Sequence, residues 1–357
     1  MARRHKYALI SEPITGDHPF SPNAMGVFRR SETPQTPAIL EEGWPPNVKT
    51  DEAAFAWWQQ ELREQRALYS QKPTLVAGRV LGGPFTIKQV PAVYDDALPR
   101  RAVPTCAKQA MEIEITLVHP LRETEPGDNR PCQTWLVRTT TDDVLVAKFY
   151  CAFFFVPSVM YCLSFAEYRL PHHCARTETM AYEALSSAQG RWLPYFLGRH
   201  EVKFGHGFAI DMILLEYIPG ETLHAFRSEH HLLKGGGNYV QHDPEDTRYN
   251  TLSEDHFKWF SWIRTFVQEM HQSGITHGDL NTRNIILHQH VEPEGSYMLV
   301  IVDFEQARDD RLHGRELRVT TQGLVCCDKH ARELAKRCNE EGIPITDWYV
   351  NWRGIHV

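Results

Sequence analysis

ITHGDLNTRNIIL, residues 275–287, and LVIVDFEQA, residues 299–307, decide how this chain is read. The first passes from a polar loop into the apolar run Asn284-Ile285-Ile286-Leu287, the second closes the apolar run MLVIVDF, and the turn sequence EPEG lies between them. That order of run, turn and run predicts a β-hairpin. A hairpin returns its end to its beginning, so Asn284 and Asp303, 19 positions apart, converge as hard oxygen donors fit for one divalent cation. Asp279 stands five residues before Asn284. A loop of that length can aim one side chain at a reacting group and the other at the ion.

Working outward, Thr251-Leu252-Ser253-Glu254 offers a capping box for a helix whose apolar face carries Phe257, Phe260, Ile263, Phe266, Val267 and Met270. The glycine-bearing segment 226–250 reads as a loop or insertion dividing the chain into halves. Before it, Met111–Val118, Thr134–Thr139 and Val144–Tyr150 are short runs rich in β-branched and aromatic residues, predicting an antiparallel meander. Ala175–Gly190 then predicts a helix closed by glycine, and Met212–Ile218 a further strand. Prolines crowd the opening hundred residues, which read as an irregular arm apart from one helix over 51–70 that places Phe55, Trp58, Leu62 and Leu68 close to one face.

Composition sets the outer limits. With 42% hydrophobic and 23% charged residues, the chain matches globular proteins and excludes wholesale disorder or a rod. A net charge of −7 argues against holding nucleic acid on a broad basic face. The eight cysteines contain no C-x-x-C pair, so they read as reduced thiols of a cytoplasmic or nuclear protein rather than a zinc ribbon or disulfide scaffold. The most apolar stretch, Cys151–Phe165, is shorter than the ~20 residues of a spanning helix and contains Pro157, so no membrane is expected. The His172-His173, His230-His231 and His288/His290 pairs lack the partners of a metal site, and Cys326-Cys327 reads as packing in a C-terminal helix.

The ordered set His277, Asp279, Asn284 and Asp303-Phe304, downstream of the V-A-K strand of Lys148, resembles the catalytic loop and metal-binding strand of the protein-kinase-like superfamily over residues 111–310. The resemblance implies ATP and Mg²⁺ as cofactors. It implies Asp279 as base, Lys148 on the α- and β-phosphates, and Asn284 and Asp303 as metal ligands. Glu178 is the chosen partner of Lys148, preferred over Glu183 because it shares the helix face of Ala181 and Tyr182. LLEYIPG, residues 214–220, resembles the hinge, where backbone groups of Glu216 and Ile218 would meet the adenine.

Departures from the pattern point away from peptide kinases. HPLRETEPGDNRPC, residues 119–132, has no G-x-G-x-x-G, Gly278 replaces the usual arginine, and Glu305 makes the metal motif D-F-E, as in choline and ethanolamine kinases. The H-G-D-L opening resembles aminoglycoside phosphotransferases, and fungal kinase-like proteins share the overall character. Arg283, four after Asp279, is similar to tyrosine kinases, but no A-P-E segment follows and little chain is left for a peptide platform.

The expected fold is therefore α+β and bilobal, with a small antiparallel sheet plus helix and a shortened, mostly helical C-lobe. The expected divisions are 1–105 for the arm, 106–220 for the N-lobe and hinge, and 221–357 for the C-lobe. The expected function is transfer of the ATP γ-phosphate to a hydroxyl of a small molecule. A nucleotide-binding pseudokinase scaffold and an atypical protein kinase stand beside it, and a protein partner for the arm is left open.

Overall fold

Leu81, Phe85, Ile87 and Val90 are already part of a core, although they lie well inside the expected arm. The structure, a computed structural model, describes residues 51–67, 75–90, 100–109, 111–121, 132–154, 170–204, 209–229, 248–289 and 297–307. Its elements in chain order are α1 (Asp51–Ala67), β1 (Phe85–Thr86), β2 (Glu112–Ile113), β3 (Ile115–Pro120), β4 (Cys132–Thr139), β5 (Val144–Tyr150) and α2 (Pro171–Ala184). There follow β6 (Phe196–Lys203), β7 (Ala209–Glu216), β8 (Glu221–Thr222), α3 (Leu223–Glu229), α4 (Arg248–Gln272), β9 (Ile285–Gln289) and β10 (Tyr297–Ile301). The arrangement mixes helices with antiparallel sheets and is compatible with a kinase-like fold.

The principal sheet has five antiparallel strands in the order β3-β4-β5-β7-β6. Because successive residues of a strand point to opposite faces, β5 sends Leu145, Ala147 and Phe149 one way and Val146, Lys148 and Tyr150 the other. The first set packs with Leu81, Phe85, Ile87 and Val90 of the expected arm and with Cys106 and Ala107 just beyond it, so chain before β2 covers that face. Tyr150, on the second face, belongs to a core cluster that also holds Ala181 and Tyr182 of α2, Phe266 and Met270 of α4, and Ile285 and Ile301 of the β9–β10 hairpin. A sheet buried on both sides gains about 1.5–3 kcal/mol for each large apolar side chain removed from water.

Three elements depart from the sequence reading. The strand expected over 111–118 is split, with β2 pairing β1 and β3 pairing β4, because the carbonyl of Glu114 between them accepts from Thr140 N–H at 3.2 Å instead of joining a ladder. β6 was not anticipated. α4 starts at Arg248, so Thr251 lies inside it and the capping box does not set its beginning. On α4, Trp259, Ile263, Phe266, Val267 and Met270 are buried at helical spacing, as expected for four of them on this face. Gly274, at φ +75°, ends the helix by the left-handed turn that lets Ile275 N–H reach the Met270 carbonyl at 3.0 Å.

After residue 220 the described chain sets α3 and α4 beside the three-stranded sheet β10-β9-β8. On α1, Trp58 and Leu62 are buried, and Arg66 Nε donates to the Ala152 carbonyl at 2.9 Å just beyond β5. Residues 122–131 of the loop that lacks G-x-G-x-x-G, the glycine run at 235–237, His230, His231 and His290, the apolar stretch after Phe154, and the expected C-terminal helix with Cys326 and Cys327 lie outside the described residues. Among the described residues no helix is long and apolar enough to cross a membrane, and Cys106, Cys132, Cys151 and Cys174 are buried and outside any disulfide.

Candidate active site

The loop after α4 is laced to the strand that follows β10. His277 is fully buried, donates from Nε2 to the Val302 carbonyl at 3.0 Å, and accepts the Asp279 N–H at Nδ1 at 3.3 Å. One tautomer satisfies both bonds. Val302 N–H donates in turn to the Asn284 carbonyl at 3.0 Å, and the His277 ring lies 4.4 Å from that of Phe304. Gly278 sits at φ +82°, where a Cβ would come within 2.1 Å of the Gln306 carbonyl oxygen. The glycine that departs from the protein-kinase pattern is thus demanded by the close approach of two loops.

Within this frame the Asp279 carboxylate is held on both oxygens. Asn281 Nδ2 donates to Oδ1 at 3.0 Å and Asn284 Nδ2 to Oδ2 at 3.2 Å, while Asn284 Nδ2 also reaches the Asp279 carbonyl at 2.8 Å. With its amide nitrogen so used, Asn284 has its Oδ1 as the atom able to ligate a cation. Asp303 follows β10 at φ +74°, a left-handed conformation that a non-glycine residue holds only when its surroundings impose it.

Lys148 Nζ lies 2.6 Å from Glu178 Oε2 and 2.6 Å from Asp303 Oδ1. Of the two glutamates weighed for it, Glu178 is the one it meets; Glu183 instead pairs at the surface with Lys88 at 3.1 Å. Glu178 is fully buried and also accepts the Tyr150 hydroxyl, and its Oε1 accepts Phe304 N–H at 3.4 Å. Burial alone would depress the Lys148 ammonium, but the carboxylates of Asp303 and Glu178 outweigh it and hold its pKa well above the usual value. Burial, and then Glu178, push the Tyr150 phenol upward. Tyr150 was missed in the sequence, although the alternation of β5 places it on the face of Lys148.

A cavity of about 950 Å³ is lined by Val146 and Lys148 from β5, Glu216 at the end of β7 and Ile218 just after it, with Asp279, Asn284 and Asp303 opposite. Glu216 N–H donates to the Tyr195 carbonyl at 2.9 Å, and its side chain is engaged by Arg101. Glu305 also lines the cavity, and Cys132 Sγ stands 3.5 Å from its Oε2. Cys132 carries no sequence signal of its own, whereas Glu305 stands in the D-F-E motif. Among the described residues no group of three or more His, Cys, Asp or Glu side chains is placed to hold a metal by itself. The donors present, one carboxylate and one amide oxygen, suit a hard cation that completes its shell with phosphate and water.

Residues 253–320 match the Lipopolysaccharide kinase (Kdo/WaaP) family. The match indicates a protein-kinase-like chain. It spans most of α4, the loop of Asp279, the hairpin and Asp303, the region whose spacing carries the resemblance. No curated protein matches the chain.

Proposed function

We propose that the chain is an ATP- and Mg²⁺-dependent phosphotransferase that moves the γ-phosphate to a hydroxyl of a small molecule. The observation that carries this reading is the single cleft in which a buried lysine, two oxygen donors for a cation and a doubly anchored carboxylate face one another. Phosphoryl transfer asks little covalent help and much control of charge, and this set supplies that control. In this reading the five-stranded sheet with α2 forms one lobe and α3, α4 and the three-stranded sheet form the other. Residues 216–220 join them.

Asp279 orients the acceptor hydroxyl and takes its proton, a contribution of about 10²–10⁴-fold. Lys148, kept charged by its two carboxylates, offers a fixed positive charge to the α- and β-phosphates, and Glu178 holds it in place. Asp303 and Asn284 hold the Mg²⁺, which when bound neutralises charge on the phosphate oxygens. At the hinge a base would meet the carbonyl of Glu216, whose N–H is already used, and the backbone of Ile218. The matched family's name gives lipopolysaccharide rather than a peptide as what it phosphorylates, which supports the small-molecule branch of the kinase-like proteins.

The test is thermal unfolding with nucleotide. ATP with Mg²⁺ should raise the melting temperature, since a ligand at 100 times its Kd adds about 2.7 kcal/mol to the native state. ATP with chelator should do much less, and Asp303→Ala should lose the difference. Equal shifts with and without metal would overturn the ligand assignment.

A further inference from the structure

Arg101 belongs to the stretch that the sequence assigns to an irregular arm, yet its side chain is only 6% exposed and lies against the hinge. Its Nε donates to Glu216 Oε1 at 2.8 Å and its Nη2 to Glu216 Oε2 at 3.0 Å, a two-pronged grip on a carboxylate that is itself 9% exposed. The remaining donors are also used. Nη2 reaches the Leu193 carbonyl at 2.6 Å, and Nη1 reaches the Arg191 carbonyl at 2.9 Å and Met298 Sδ at 3.5 Å.

The backbone repeats the same linkage. Arg101 N–H donates to the Gly190 carbonyl at 2.8 Å, its carbonyl accepts the Tyr195 hydroxyl at 2.9 Å, and Tyr195 N–H returns to Glu216 Oε2 at 3.0 Å. Gly190 lies at φ +75° with the Tyr195 ring where a Cβ would be, so the loop closes this tightly only with glycine. Arg101 therefore spans the loop after α2, the end of β7 that forms the hinge, and the hairpin strand β10 that leads to Asp303. Its hydrogen bonds and ion pair go to other residues than Lys148, Glu178, Asp279, Asn284 and Asp303.

We propose that Arg101 is a positioning residue for the base end of the nucleotide cleft: through Glu216 it fixes where the hinge backbone stands relative to the β9–β10 hairpin. The inference rests on the nucleotide reading above. A carboxylate at the hinge, buried and gripped by a guanidinium fork, holds the backbone of Glu216 and Ile218 in one place before any ligand arrives. The phosphate end is held independently by Lys148 and its carboxylates. Loss of Arg101 thus separates two affinities, for the nucleoside and for the phosphate chain. Lysine cannot stand in, because an ammonium offers no planar fork.

The experiment is calorimetry on the full chain with Mg²⁺, using ADP and inorganic tripolyphosphate as the two probes. Arg101→Lys should weaken ADP about tenfold, the scale of one to two hinge hydrogen bonds, and leave tripolyphosphate unchanged. With ATP as substrate its KM should rise while kcat stays close to wild type. The paired variant Arg101→Gln with Glu216→Gln removes both buried charges together and guards against simple unfolding. Its melting temperature should return towards wild type while ADP binding stays weak. Equal weakening of both probes, or ADP affinity that recovers with stability in the paired variant, would overturn the positioning role. Wild-type ADP binding that Arg101→Lys leaves intact would overturn this inference and spare the nucleotide reading, whereas no ADP binding by wild type would overturn both.

Discussion

Glu305, two residues beyond Asp303, shows how much of a site depends on placement rather than residue type. Burial, and then the Asp303 carboxylate, push its carboxyl from 4.5 to about 8, with Lys148 pulling the other way. A native carboxyl raised above its unfolded value keeps a proton that the unfolded chain has released. Its stabilising effect is full below the unfolded value and is lost as pH rises towards about 8. The melting temperature should therefore fall across that window, and Glu305→Gln, which keeps the shape without the charge, should flatten the fall. Parallel profiles for the two proteins would contradict a half-buried Glu305 that stays protonated. Lys148, Asp279, Asn284 and Asp303 could be picked out of the chain because their spacing is part of the chemistry. Cys132 and Arg101 could not, because each owes its setting to segments remote in sequence.

The helix, loop and hairpin from α4 to β10 form the unit whose geometry the site depends on most directly. Gly278→Ala would place a methyl group within 2.1 Å of the Gln306 oxygen and force an alanine to φ +82°. Strain and overpacking together should lower stability by about 2–4 kcal/mol, read from denaturant melts. A melting curve matching wild type would contradict the close approach of the two loops. The hairpin and α4 were legible because their apolar periodicities are long and clear. β6 was not, since Arg199, Glu201 and Lys203 are interleaved with its apolar residues, the strand has a neighbour on one side only, and Gly198 at φ +122° marks a bulge that breaks the alternation.

Across the whole molecule, the main lesson of the structure is that the sheet has a second covered face. Leu81, Phe85, Ile87, Val90, Cys106 and Ala107 close it, although proline and glycine around them read as irregular chain. Their burial comes from tertiary contact and leaves no periodicity to read. A protein lacking residues 1–109 should lose cooperative melting, whereas one lacking residues 1–47, a segment poor in apolar groups for its length, should melt close to wild type. A sharp, unshifted transition for the longer deletion would contradict the covered face. The central claim is that this cleft transfers phosphate with Asp279 as base, and the most direct measurement is ATP turnover by wild type and Asp279→Asn with Mg²⁺, beside nucleotide affinity for both. Turnover that falls about 10²–10⁴-fold while nucleotide binding is kept is the predicted result. Turnover that Asp279→Asn leaves intact, or none in wild type, would contradict it.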